Sequence, residues 1–298
     1  MRRIHLKAIA CLSLIGVLFY WKFLLTHQYS LLTGFEGANQ AYSWYGYIAR
    51  SIKEGSWPIW DPYTFSGRSF VGEMQTAAFY PINFLLAAIP FNDRGLLSPG
   101  FYHWLYLAAH VLGAYFTFAL VRTFGLSVFA SLLSGICFSF GGFMARLGGW
   151  PHMFQSGIWL PLICLFTVKA LNEVDSRRRL AYSVLGGLGL GLSILAGGLH
   201  LAMMQAAVVT TMSIAFIFLA GKGRGRELWK RSILVFAVVL IIGTISGAVQ
   251  ILPSIEYSQL SFRSITGGSV GASDRIDYQQ LNHGLFANAL SGLVFGAP

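Results

Sequence analysis

The strongest constraint on this chain is a succession of apolar runs. Each is about 20 residues long, the length an α-helix needs to cross the hydrocarbon core of a bilayer. They fall at roughly 101–121, 126–147, 153–170, 180–197, 200–220 and 232–252, and another begins near the N-terminus and reaches about Leu25. In lipid every backbone polar group needs an internal partner, so only helices or closed barrels qualify. No segment alternates apolar and polar residues as a barrel strand does. The expected fold class is therefore all-α, a polytopic helical membrane protein. Only 11% of the residues are charged, against roughly 25% in a soluble domain.

Charge placement orders these runs. Arg2, Arg3 and Lys7 precede the first one, which continues through Phe19, Tyr20 and Trp21 without a small-x-small cleavage site. It reads as a retained span with its basic end in the cytoplasm. The segment from Met74 to Pro90 is shorter and is interrupted by Pro81 and Asn83. If it does not cross, Arg122, Lys169, Arg177, Arg178, Arg179 and the basic cluster from Lys222 to Arg231 all lie inside. About 13 of the 21 basic residues are then cytoplasmic. A crossing there would put the later basic loops on the wrong side. The expectation is thus about seven spans in one transmembrane domain, 1–298, with the N-terminus inside, an outer loop at 27–99 and an outer tail at 253–298. The net charge of +10 is accounted for by this topology, and no nucleic-acid partner is expected. Cys11, Cys137 and Cys164 all fall inside apolar runs and read as small core residues.

Within that frame, Gly187 with Gly191 and Gly243 with Gly247 have the four-residue spacing that lets helix backbones approach closely. The run GGLGLG at 186–191 lacks the preceding strand of a dinucleotide fingerprint. The run GKGRGR at 221–226 reads as a cytoplasmic anchor.

Chemistry is concentrated in the polar stretch from Gly34 to Asn83, which holds Glu36, Glu54, Asp61 and Glu73 out of 11 acidic residues. Ala41, Tyr45, Ile48 and Ile52 recur at helical spacing and predict a helix over 38–54, lying on the outer surface with Tyr42, Trp44 and Tyr47 at headgroup level. Glu36 falls just before its N-terminus, where the backbone dipole favours an ionised carboxylate. In GSWPIWDPYTFSG, Pro58 and Pro62 stiffen the chain that presents Asp61. Glu73 precedes the return to the membrane. Gln40 and Gln75 add side-chain amides able to hydrogen-bond a ligand. Of the histidines, His152 and His200 sit at outer ends of spans, and Glu256 follows Pro253 near Arg263. Arginine suits phosphate recognition, with Arg263 the first candidate and Arg68 and Arg146 next. Glu36, Asp61 and Glu73 share a loop, so a divalent cation is a candidate cofactor, although a hard-cation site needs several converging oxygens.

The order GFEGANQ, WPIWDPYTFSGRSF, EMQTAAFYPIN and AVQILPSIEYSQLSFRS, with GGFMARLGGWPHM and WLPL at 141–162, resembles the YfhO-type bacterial membrane proteins. These are similar to the GT-C superfamily of polyprenyl-linked-sugar glycosyltransferases. The resemblance implies sugar transfer on the outer face of a bacterial plasma membrane. The donor would be a polyprenyl-phosphate sugar and the acceptor a cell-envelope polymer or lipid. It implies that Glu36 acts on the acceptor hydroxyl, in a position where family members commonly carry Asp. Gly197, Gly198, Leu199 and His200 stand where the family usually shows a Gly-His-Pro-Gln-like turn. Family members continue further, so the chain is expected to be a fragment or a reduced member. A lipid or solute transporter would instead show broken helices in repeated halves, and no repeat is visible; an inactive membrane scaffold is the third reading.

Overall fold

The computed structural model describes residues 2–26, 29–32, 35–64, 66–219 and 225–260. The chain divides into two compact units, Met1–Ser254 and Ile255–Pro298. The first is built almost entirely from helices: α1 (Arg2–Phe19), α2 (Trp21–Leu25), α3 (Tyr42–Lys53), α4 (Pro99–Thr123), α5 (Val128–Phe140), α6 (Gly142–Arg146), α7 (Pro151–Gly157), α8 (Leu160–Asn172), α9 (Ser176–Leu195), α10 (Leu199–Leu219) and the start of α11 (Gly225–Gln259). One short hairpin, β1 (Trp60–Asp61) with β2 (Arg68–Ser69), pairs Trp60 with Ser69 and Asp61 with Arg68.

Among the described residues five helical stretches are long and apolar enough to cross a membrane: Pro99–Thr123, Val128–Gly149, Pro151–Asn172, Leu199–Phe218 and Leu228–Gln259. The other two expected spans correspond to α1 and α9, 18 and 20 residues long, each with three basic residues at its start. The 126–147 run is not one rod. It breaks at Gly141, whose extended backbone (ψ 158°) separates α5 from α6. The segment 74–90 forms two 3-10 turns, Met74–Thr76 and Pro81–Ala88. At about 2 Å rise per residue, eight residues cover roughly half of a hydrocarbon core. Neither turn is long enough to cross by itself.

Close helix contact follows the glycines. A Cβ on Gly187 would come within 2.7 Å of the Ile242 Cβ, one on Gly243 within 2.7 Å of Leu190 Cδ2, and one on Gly247 within 2.7 Å of Ile194 Cγ2. At Gly191 it would collide with the Ser246 hydroxyl. The two small-residue pairs therefore face one another, and α9 meets α11 along them.

Several polar side chains buried among the apolar helices are paired across them. Tyr20 donates to His110 Nε2 at 2.9 Å. Ser139 donates its hydroxyl proton to the His110 carbonyl at 2.6 Å, so His110 Nδ1 is the donor toward Ser139 Oγ, 3.1 Å away. Farther along, Ser156 Oγ donates to the Ser193 carbonyl at 2.8 Å and Ser193 Oγ donates back to the Ser156 carbonyl at 3.2 Å. Each bond satisfies a group that lipid would leave bare.

A second, smaller core lies in the polar stretch between α2 and α4. Tyr45, Ile48 and Ala49 on α3 are buried with Phe70, Val71, Ala78, Leu86, Ile89, Leu97 and Tyr102. The helix expected at 38–54 is therefore present, and protein covers its apolar stripe. Tyr47 donates to the Trp60 carbonyl at 2.6 Å and Tyr42 to the Leu97 carbonyl. These bonds fix α3 to the hairpin on one side and to the start of α4 on the other. Gln250, fully buried on α11, donates to the Val71 carbonyl at 2.8 Å and ties this small core to the helical frame.

Candidate functional site

A cleft of about 260 Å³ opens where the start of α3 faces the hairpin. Asn39, Gln40, Ser43, Trp44 and Tyr47 line one wall; Asp61, Tyr63, Thr64, Arg68 and Phe70 line the other. Amides and hydroxyls that hydrogen-bond to a polyol stand beside indole and phenol rings that stack on its C–H faces. That combination suits a sugar.

The hairpin wall is rigid because of one buried acid. Asp61 is 5% exposed. Its Oδ1 accepts from the Tyr63 amide at 2.9 Å, and its Oδ2 accepts from the Thr64 hydroxyl and from Arg68 Nε at 3.5 Å. Burial opposes its ionisation. The bonds from Thr64 and Tyr63, together with the Arg68 guanidinium, outweigh that and hold the carboxyl below the usual range. Arg68 also reaches Glu73, with Nη1 3.8 Å from Oε2, and lies 5.8 Å from the Trp44 ring centre. Glu73 in turn caps the turn Met74–Thr76, accepting from the Gln75 amide at 3.5 Å.

Glu36 stands apart from this network. The helix that begins the cleft wall starts one turn earlier than expected, as a π-helical stretch Phe35–Ala41 that runs into α3. Glu36 therefore lies within its first turn, one turn from Gln40 and on the same side. It is half-buried and makes no hydrogen bond or ion pair among the described residues.

The remaining candidates separate into two further places. Gly197, at φ +90°, brings the turn between α9 and α10 against the turn Met74–Thr76: a Cβ there would lie 2.6 Å from the Met74 carbonyl oxygen, 3.2 Å from Gln75 Cα and 3.4 Å from His152 Cβ. Gln75 and His200 are exposed next to this turn, and His152 is buried beneath it with Nε2 unpaired among the described residues. Glu256 is exposed near the end of α11, in the second unit. Arg263 lies outside the described residues. Asn39, Ser43, Tyr63, Thr64 and Phe70 complete the cleft without having been singled out by sequence, and Tyr47 and Trp44, expected at headgroup level, line it instead. The only signal for the first five is proximity to Trp44 and Asp61 in the chain.

A divalent cation does not fit the expected trio. Arg68 already places a positive charge between Asp61 and Glu73, and among the described residues no three of His, Cys, Asp or Glu converge as ligands.

The backbone is similar to the crystal structure of an oligosaccharyltransferase from Archaeoglobus fulgidus in its apo form, with a TM-score of 0.50 at 18% identity. The match covers 99% of this chain and 39% of the archaeal one, so the chain spans well under half the length of that protein. No family model matches the sequence, and no curated protein matches it. The likeness is one of fold, and the fold is the all-α helical frame that the apolar runs led us to expect.

Proposed function

We propose that this chain carries the transfer site of an extracytoplasmic glycosyltransferase. It would move a sugar from a polyprenyl-phosphate-linked donor to a cell-envelope polymer or lipid acceptor. In this reading the chain sits in a bacterial plasma membrane with about seven crossings, the N-terminus in the cytoplasm and the cleft on the outer face.

One observation carries the reading: one turn before Gln40, which lines a cleft built of amides, hydroxyls and aromatic rings, Glu36 is a half-buried carboxylate with no partner among the described residues. Asp61 and Glu73 are bound to Arg68, and Asp61, held below its usual range, is a weak base. Glu36 is the acid left to take a proton. In the transfer, the acceptor O–H gives its proton to the Glu36 carboxylate as its oxygen bonds to the anomeric carbon. The bond from that carbon to the donor phosphate breaks, and its electron pair leaves with the polyprenyl phosphate. Such base assistance contributes about a hundredfold to ten-thousandfold. The aromatic and amide walls hold the sugar, with Gln40 within the cleft and Gln75, His152 and His200 at the neighbouring turn.

The test is turnover of a polyprenyl-phosphate sugar by Glu36→Gln protein that folds like the wild type. Loss of about a hundredfold or more is expected. Unchanged turnover removes Glu36 from the reaction.

A further inference from the structure

The segment from Pro81 to Pro90 reads PINFLLAAIP and carries no charged residue. Its one polar side chain, Asn83, is turned inward and is 1% exposed. Asn83 Nδ2 donates to the Ala77 carbonyl at 3.1 Å, and its Oδ1 accepts from Gln155 Nε2 at 3.3 Å. What faces outward is apolar: Leu85 is 54% exposed, and Pro81 and Ala88 are exposed as well.

Two helical rods measure how deep this segment sits. Tyr80 accepts from the Trp159 indole N–H at 3.0 Å. Tyr80, Asn83 and Leu86 also share a small cavity with Tyr102, Tyr106 and Ala109 of α4. α4 is one unbroken helix of 25 residues. Centred on a hydrocarbon core of about 30 Å, with a rise of about 1.5 Å per residue, it puts Tyr106 roughly 7 Å and Ala109 roughly 12 Å inside the core. The second rod is Pro151–Asn172. Ile158 and Trp159, between α7 and α8, keep right-handed helical backbone, so the rod runs on through them. It puts Gln155 roughly 5 Å and Trp159 roughly 11 Å inside. The starts of the two rods lie side by side, with the Tyr106 and Phe154 ring centres 4.3 Å apart. Both therefore place Tyr80, Asn83 and Leu86 below the same surface of the bilayer.

A chain that enters lipid needs its backbone groups satisfied internally. The Tyr80 and Asn83 amides donate to the Ala77 and Tyr80 carbonyls at 3.0 and 2.9 Å, and the Ile89 amide donates to the Leu86 carbonyl at 3.0 Å. Lys53 Nζ donates to the Ile89 carbonyl at 2.7 Å, where the segment ends. Trp57, 59% exposed, has its ring centre 5.7 Å from that of Phe84. Indole rings favour the level where hydrocarbon meets headgroups. Between the start of α4 and Tyr106, Phe101 and Trp104 are exposed, so at this level a membrane-crossing helix already offers apolar surface to lipid.

We propose that Pro81–Ala88 is a re-entrant element that dips into the hydrocarbon of one leaflet and presents Leu85 to the acyl chains, with Trp57 at headgroup level. The polar stretch is then anchored in the bilayer as well as packed on the helices. This holds whether or not Glu36 takes part in transfer.

The experiment is nitroxide accessibility in the full chain, with Cys11, Cys137 and Cys164 replaced by alanine, in phosphatidylcholine vesicles. Labels on Leu85→Cys, Trp57→Cys, Glu54→Cys and Ile241→Cys are challenged with oxygen, which collects in hydrocarbon, and with a nickel chelate, which stays in water. Glu54 is exposed in the polar stretch, and Ile241 is exposed well inside the crossing stretch Leu228–Gln259. The oxygen-to-nickel ratio at position 85 should be several-fold above that at 54 and approach that at 241, with position 57 between. A nickel-dominated signal at 85 overturns the proposal, since the segment then stands in water. Weak collision with both reagents at 85 overturns it too, because protein then covers the site. Matching ratios at 57 and 54 would defeat the headgroup placement of Trp57 alone.

Discussion

The Nε of Arg68 lies 3.5 Å from Oδ2 of Asp61, and the two side chains are only 13% and 8% exposed. A pair this sheltered is screened little by salt. It fixes the geometry of the hairpin wall, because the same acid also holds the Tyr63 amide and the Thr64 hydroxyl. Removing Asp61 therefore releases three donors at once.

Asp61→Asn should destabilise the polar stretch by about 1–3 kcal/mol, the usual cost of leaving buried donors to a charged group unmade. The folded state holds this carboxyl below its ordinary range, so on acidification the unfolded chain takes up the proton first. The contribution is present in full above about pH 4 and is lost as the pH falls through the folded value. Protease sensitivity of the polar stretch, followed from pH 6 down to pH 3, should rise in the wild type and be flatter in Asp61→Asn. Parallel profiles would count against the pair.

Gly191→Ala should weaken the contact between α9 and α11, since the added carbon meets the Ser246 hydroxyl. Overpacking of this kind costs about 1–3 kcal/mol. Gly46→Ala is the natural control: it lies in α3 with nothing within 4 Å of the added carbon, and it should stabilise by up to about 1 kcal/mol. Thermal unfolding in detergent reads both, and equal melting temperatures for the two variants would contradict the packing described.

Tyr20 and His110 should couple in a double-mutant cycle. Tyr20→Phe and His110→Phe each remove the same 2.9 Å bond, so the double variant should be less damaged than the sum of the two. The expected coupling is about 0.5–2 kcal/mol, the range for buried hydrogen bonds between membrane helices. Strict additivity would show that the bond adds nothing to stability.

Gln250→Leu keeps the volume and removes the donor that meets the Val71 carbonyl at 2.8 Å. The effect should be local: faster amide hydrogen exchange from Phe70 to Glu73, with little change in α4 or α8. Uniform acceleration across the protein would instead point to a general packing defect.

Much of the frame could be read in advance because lipid imposes one dominant rule. Apolar runs of fixed length had to become helices. The excess of arginine and lysine after Lys169 fixed the expectation for 74–90 before its 3-10 turns were known. The glycines at 187, 191, 243 and 247 announced a contact through spacing alone, because only small residues at that interval allow backbones to touch. The break at Gly141 was not legible. In the apolar run from 126 to 147 the Gly141–Gly142 pair is its only trace, and glycines in a span serve close helix contact just as readily.

The site was legible only in its ingredients. Sequence put Glu36, Gln40, Asp61 and Glu73 in one polar stretch, since carboxylates are excluded from spans. Which acid is committed and which is free depends on where Arg68 points and on how the hairpin turns back toward α3. Those are contacts between residues distant in the chain. Likewise, Tyr80 and Trp159 are 79 positions apart, and only their hydrogen bond shows how far the 3-10 segment reaches along the crossing helices. The sequence by itself determined a membrane-embedded helical frame and the polar stretch outside it. The tertiary structure decided the pairing of charges and the shape of the cleft, because burial and close approach arise only when distant segments pack.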